Sequence, residues 1–141
     1  MLKFELVTLD GIKFSESVHE VRLPTPQGEI GVFKDHSPLV SIASEGVITV
    51  KRKPEHTDKL LEYFAVNGGV IEVSPSSVRV LVDEADPEDE ISEKEAEEAL
   101  ELAKRMQAEA KDQVSLEKAQ QLIQRQAVKL KVAGLKRRKK H

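Results

Sequence analysis

The chain has 141 residues, enough for one domain or a domain with a smaller appendage. Its formal charge of −3 carries no nucleic-acid signature, and without cysteine it can hold no disulfide, thiol nucleophile or cysteine-ligated zinc. With 33% charged residues, 4% aromatics and no tryptophan, its core has to be aliphatic and thin, yet the chain is too apolar for wholesale disorder.

Residues 2 to about 83 read as short strands. LKFELVTL alternates around Phe4, Leu6 and Thr8, which predicts a strand ended by a turn at Asp10-Gly11. The opening MLKFELVTLD turns acidic at once, unlike a signal peptide. VHEVRL predicts a second strand around Val18. Next comes LPTPQGEIGVFKDHSPLV, Leu23 to Val40, with three of the six prolines. Gly46 begins the strand GVITVKRK, which fades into the polar tip KPEHTDK. YFAVNGGVIEV and VRVLVDE are apolar and β-branched, separated by a tight turn at Ser74–Ser77. Within the first of them, Asn67-Gly68-Gly69 predicts a bulge or a corner; a ligand approaching the backbone is the sharper alternative. Many short strands parted by turns predict an antiparallel sandwich or flattened barrel.

After Asp86-Pro87 the period changes. Residues 91–134 contain no proline and one glycine, and helix formers dominate. Ser92-Glu93-Lys94-Glu95 is a capping box. One stripe runs Ala96, Ala99, Leu100, Ala103, Met106, Ala110; a second runs Leu116, Ala119, Ile123, Ala127, Leu130. Ser115 is the candidate second N-cap, with a hinge near 112–115. The expectation is an α+β chain: a β-sandwich over 1–86, a hairpin of two five-turn helices over 87–135, and a basic tail over 136–141. The seams are rich in alanine and remove little apolar area, so the hairpin is a candidate mobile element; a static hairpin is the plainer alternative.

Charge is segregated. Asp83 to Glu98 is acidic apart from Lys94, whereas Arg125 to His141 holds eight cations and no acid. Solvated faces with a loose tail account for this, and so does a surface for an acidic partner. No apolar run approaches the roughly 20 residues that span a bilayer, so membrane association is expected only through a partner.

Chemistry is hard to find. No phosphate-binding P-loop is present, and Gly28-Glu29-Ile30-Gly31 lacks a following helix and cation while Glu29 repels phosphate. No histidine has a partner at helical metal-ligand spacing. His36, ahead of Ser37-Pro38, fits a turn or packing residue better than a general base. The residues read as a binding or mechanical protein, with no catalytic residue, cofactor or metal ligand.

Leu23-Pro-Thr-Pro-Gln-Gly-Glu-Ile-Gly-Val followed by His36-Ser-Pro-Leu39 resembles a signature of the epsilon-subunit family of F-type ATP synthases. Gly46-Val-Ile-Thr-Val, Val66-Asn-Gly-Gly-Val-Ile-Glu-Val73, Val78-Arg-Val-Leu-Val-Asp83 and Leu130-Lys-Val-Ala133 follow in the family's order, so the resemblance covers the chain to about residue 134. It implies a flattened antiparallel sandwich followed by two helices. It also implies a non-catalytic rotor subunit, peripheral on the cytoplasmic face of a bacterial membrane, that binds gamma and the c ring. Proton- or sodium-driven rotation would pass through it to ATP synthesis. By the same resemblance Gln27, Gly28 and Glu29 meet the c ring, and His36, Ser37, Pro38 and Leu39 meet gamma. The helical hairpin can extend to block ATP hydrolysis, with Arg125, Lys129 and Lys131 facing acidic loops of the alpha/beta catalytic head.

One departure stands out. Members that bind ATP carry I-D-x-x-R-A, whereas here the residues are Ile91-Ser92-Glu93-Lys94-Glu95-Ala96. Glu95 in place of arginine removes a cation and adds an anion beside a polyphosphate, so ATP affinity is expected to be weak or absent. Two other classes share these features: a generic adaptor with an acidic-partner tail, and a small enzyme built on His36.

Overall fold

The computed structural model describes residues 1–139. Eight strands precede two helices: β1 Leu2–Thr8, β2 Gly11–Val18, β3 Glu20–Thr25, β4 Gly28–Phe33, β5 Leu39–Lys51, β6 Glu62–Val73, β7 Ser77–Val82, β8 Ala85–Pro87, α1 Glu93–Glu109 and α2 Gln113–Lys139. The strands form one sheet in the order β2-β1-β7-β6-β5-β3-β4, with β8 also on β6. VHEVRL, expected as one strand, is divided at His19 between β2 and β3. All pairings are antiparallel except β1 with β7, which run parallel from Lys3↔Ser77 to Val7↔Leu81.

The sheet becomes a sandwich because its longest strands turn a corner. β5 and β6 keep one register from Leu39↔Val73 to Val50↔Glu62. At Gly68 and Gly69 φ reaches +106° and +159°, backbone that glycine adopts freely. An unchanged register on both sides makes this a corner, not a bulge. A Cβ on Gly69 would lie 1.9 Å from the Leu81 carbonyl oxygen. The neighbouring chain breaks at the same place: β7 pairs with β6 beyond the corner and β8 before it. The Asn67 side-chain oxygen accepts the Glu84 N–H between them at 2.9 Å.

Alternation then decides burial. Phe4, Leu6, Ile71, Val78 and Val80 from one half meet Val21, Leu23, Val32, Ile48 and Phe64 from the other in a single cluster. Arg52 ties the open side together, pairing with Glu16 and Glu62 over the Phe14 ring; those carboxylates push its guanidinium pKa up. β5 and β6 are buried on both faces here. Ile48 and Phe64 point into the sandwich, while Val47, Tyr63 and Ala65 point outward into a second cluster with Leu61 and Val132.

α2 covers that outer face. The Ser92 hydroxyl accepts the Glu95 N–H at 3.2 Å, as the capping box requires. Asp112, not Ser115, caps α2, since its carboxylate accepts the Ser115 N–H at 2.7 Å and this bond lowers its pKa. At 27 residues α2 is about 40 Å long and exceeds the expected five turns. It continues through residues 136–139, expected as a loose tail; Lys140 and His141 lie outside the described residues. Ala96, Ala103 and Ala119 are buried in the seam, but Met106 is 40% exposed and Ala127 is exposed. The reason is a change of neighbour along α2. Its first half meets α1, and its second half turns Val128, Val132 and Leu135 to the sheet.

Candidate functional site

The β3–β4 hairpin carries the first set of expected residues. Thr25 pairs with Gly28 across a two-residue turn, and the Thr25 hydroxyl donates to the Gly28 carbonyl at 2.6 Å. Gly28 has φ of +117°, which explains glycine there. Gln27, Gly28 and Glu29 are all exposed at the tip. β4 is an edge strand, and His36 lies three residues past its far end. The span from Gly28 to Phe33 is about 17 Å at strand rise. The two expected contact regions therefore sit at opposite ends of one rigid strand.

His36 is half-buried, with Nδ1 2.7 Å from its neighbour's carbonyl oxygen, Ser37 O, after a left-handed Asp35 at φ +68°. Ser37, Pro38 and Leu39 are exposed. This is a turn held by a local bond and tied to the β6–β7 turn, where the Pro75 carbonyl accepts the Asp35 N–H at 2.6 Å. Among the described residues no three His, Asp or Glu side chains gather as a metal-binding group.

Beyond Leu39 the structure adds a surface that sequence reading missed. Ile42 pairs with Val70, Val70 with Leu81, Leu81 with Val7 and Val7 with Ile12. Partners in register share a face, so these five side chains form one continuous row across five strands. The row lies opposite the core face and is uncovered: Ile42 and Ile12 are each 64% exposed, with Val40 at 74% beside it. A contiguous exposed apolar row is the kind of surface on which partners dock. Its signal was present in GVIEV and VRVLV, where Val70 and Leu81 make the outward face apolar beside the polar pair Glu72 and Arg79.

The second expected set lies on α2. Arg125 faces Glu84 and Lys129 faces Asp86, each at 3.7 Å. Lys131 is exposed and makes no ion pair among the described residues. Farther along, Lys136 meets Asp89 at 3.1 Å, Arg137 meets Glu93, and Lys139 meets Glu88. Lys139 also donates to the Leu61 carbonyl at 2.6 Å and lies 5.2 Å above the Tyr63 ring. So Arg125 and Lys129 are turned toward the chain's own acidic segment. Where the ATP motif was expected to fail, a cleft of about 200 Å³ is lined by Asp86, Glu90, Ser92, Glu95, Gln126 and Lys129. Three carboxylates against one cation make that cleft hostile to polyphosphate.

A corner-folded sandwich with an exposed apolar row, covered elsewhere by an ion-paired helical hairpin, defines a two-module docking protein. Residues 1–88 match the family model described as ATP synthase, Delta/Epsilon chain, beta-sandwich domain. The chain belongs to this ATP synthase delta/epsilon chain family. It is 31% identical to the ATP synthase epsilon chain of Moorella thermoacetica, over 94% of this chain and 96% of that one. It is 34% identical to the chloroplastic epsilon chain of Oltmannsiellopsis viridis, over 94% and 98%. A chain in the cryo-EM structure of the Euglena gracilis mitochondrial ATP synthase, OSCP/F1/c-ring, shares the fold. Its TM-score is 0.75 at 22% identity, over 87% of this chain and 75% of that one.

Proposed function

We propose that this chain is a non-catalytic subunit of the central stalk of an F-type ATP synthase, joining the gamma subunit to the ring of c subunits. The observation that carries the reading is the exposed row Ile42–Val70–Leu81–Val7–Ile12, which continues from the His36–Leu39 edge. Gamma docks on that edge and row together. The c ring meets the Gln27–Glu29 tip at the other end of β4. β4 is paired with β3 along its whole length, so it transmits torque without bending.

Residues 1–86 act as the rotor-binding module and 87–135 as a regulatory hairpin. When the hairpin leaves the sheet, Arg125, Lys129 and Lys131 reach acidic loops of the alpha/beta head and slow ATP hydrolysis. The chain works on the cytoplasmic face of a bacterial membrane, held there by its partners. No helix among the described residues is long and apolar enough to cross a bilayer. Co-purification tests the reading. Ile42→Glu with Leu81→Glu is expected to cut recovered gamma by about tenfold or more, since a charge in the centre of an apolar contact removes a hot spot. Unchanged recovery of gamma overturns it.

A further inference from the structure

The cations of α2 and the acids ahead of α1 are matched in stride. Arg125, Lys129, Val132, Lys136 and Lys139 recur at steps of four and three, which places them along one face of the helix. From Arg125 to Lys129 that face advances about 6 Å. Glu84 and Asp86 flank Ala85, which is buried in the sandwich and paired with Val66. Two residues of extended chain advance about 6.6 Å, so Glu84, just before β8, and Asp86, within it, keep step with Arg125 and Lys129 of α2. In the helical turn that follows, Asp89 and Glu88 meet Lys136 and Lys139 with the order of the acids reversed. The pairs at Glu84 and Asp86 are too long for hydrogen bonds, and Arg125 Nε and Glu88 Oε2 are buried without a hydrogen-bond partner in the protein. The contact adds charge to the Val132 cluster beneath it and is incompletely satisfied.

We propose that Glu84–Glu93 is an internal acidic ligand for α2, occupying Arg125 and Lys129, two of the three cations that α2 presents to an acidic partner, so that docking on the sheet and partner binding compete. The proposal rests on the reading of α2 as an arm for acidic loops. The chain thus supplies its own anions to the docked helix.

The test uses the full chain. Tyr63 is the single tyrosine and there is no tryptophan, so tyrosine absorbance reports on one residue, buried under α2. Burial, with Asp58 and Glu88 nearby, raises its phenol pKa above 10.0 while α2 is docked. The variant Glu84→Gln, Asp86→Asn, Asp89→Asn is expected to open the hairpin about tenfold more often, because three half-exposed pairs each count for well under a factor of ten. The Tyr63 midpoint then falls, and poly-L-glutamate binds about tenfold more tightly. The swap Asp86→Lys with Lys129→Asp keeps the pair and is expected to keep Tyr63 covered. A triple variant that leaves both the Tyr63 midpoint and poly-L-glutamate binding unchanged overturns the proposal. Opening with tighter poly-L-glutamate binding but unchanged ATP hydrolysis in the assembled complex supports the competition and overturns the inhibitory-arm reading alone.

Discussion

The two faces of the β5–β6 ribbon carry different kinds of burial. Its inner face contributes Ile48, Val50, Phe64, Val66 and Ile71 to a cluster of 19 buried residues drawn from seven strands and Ala85. Its outer face contributes Val47, Tyr63 and Ala65 to a cluster of five, closed by Val132 from α2 and edged by ion pairs. The inner face is covered by the strands around it, so removing its cover means unfolding. The outer face is covered by one helix that takes part in none of the strand pairings building the sandwich. The same strands thus carry two covers that differ in how they are tied to the sheet.

The largest effect is expected at the corner that makes the inner face possible. Gly69→Ala forces a Cβ against the Leu81 carbonyl and should cost about 4 kcal/mol or more in urea unfolding. Tolerance of alanine there would break the account of the corner. Ile71→Ala, in the inner cluster, should lower global stability by about 2–4 kcal/mol. Val132→Ala, in the outer one, should cost about 1–2 kcal/mol, seen as exposure of Tyr63 before the sandwich melts. A single coincident transition in Val132→Ala would erase the distinction between the two faces.

How far the sequence carries a reader follows the same division. Alternation located the inner residues where the neighbours are polar, as with Phe4 between Lys3 and Glu5 and Val78 between Ser77 and Arg79. It did not locate Ile42–Val70–Leu81, because a period of two names a face only when the other face is polar. Charge segregation was plain along the chain, but it read equally as solvated faces. Pairing Arg125 with Glu84 spans 41 residues and depends on the rotational phase of α2, which the Ala127 expectation missed. Asp112 and Ser115 are both N-cap residues three apart, and composition cannot choose between them.

Smaller effects sharpen the outer face. Raising salt from about 0.05 to 0.5 M should expose Tyr63 progressively, because half-exposed pairs are screened. The smallest effect is one of pH. Burial raises the Glu45 carboxyl above 4.5, with Arg125 pulling it back. A raised carboxyl favours the folded state in full below its unfolded value, and that share fades as pH rises through the folded value. Global stability should therefore rise slightly on acidification from neutral toward about pH 5, and Glu45→Gln should remove that slope in urea unfolding. An unchanged slope would assign it to other groups.

The central claim is that one rigid sandwich touches two rotor neighbours at separate places. The chain has no cysteine, so single cysteines can be placed without background. Glu29→Cys and Ile42→Cys, each crosslinked within the assembled complex, test the claim directly. The account predicts that position 29 links to a c subunit and position 42 to gamma. Both positions linking to the same neighbour, or neither linking to gamma, would contradict it.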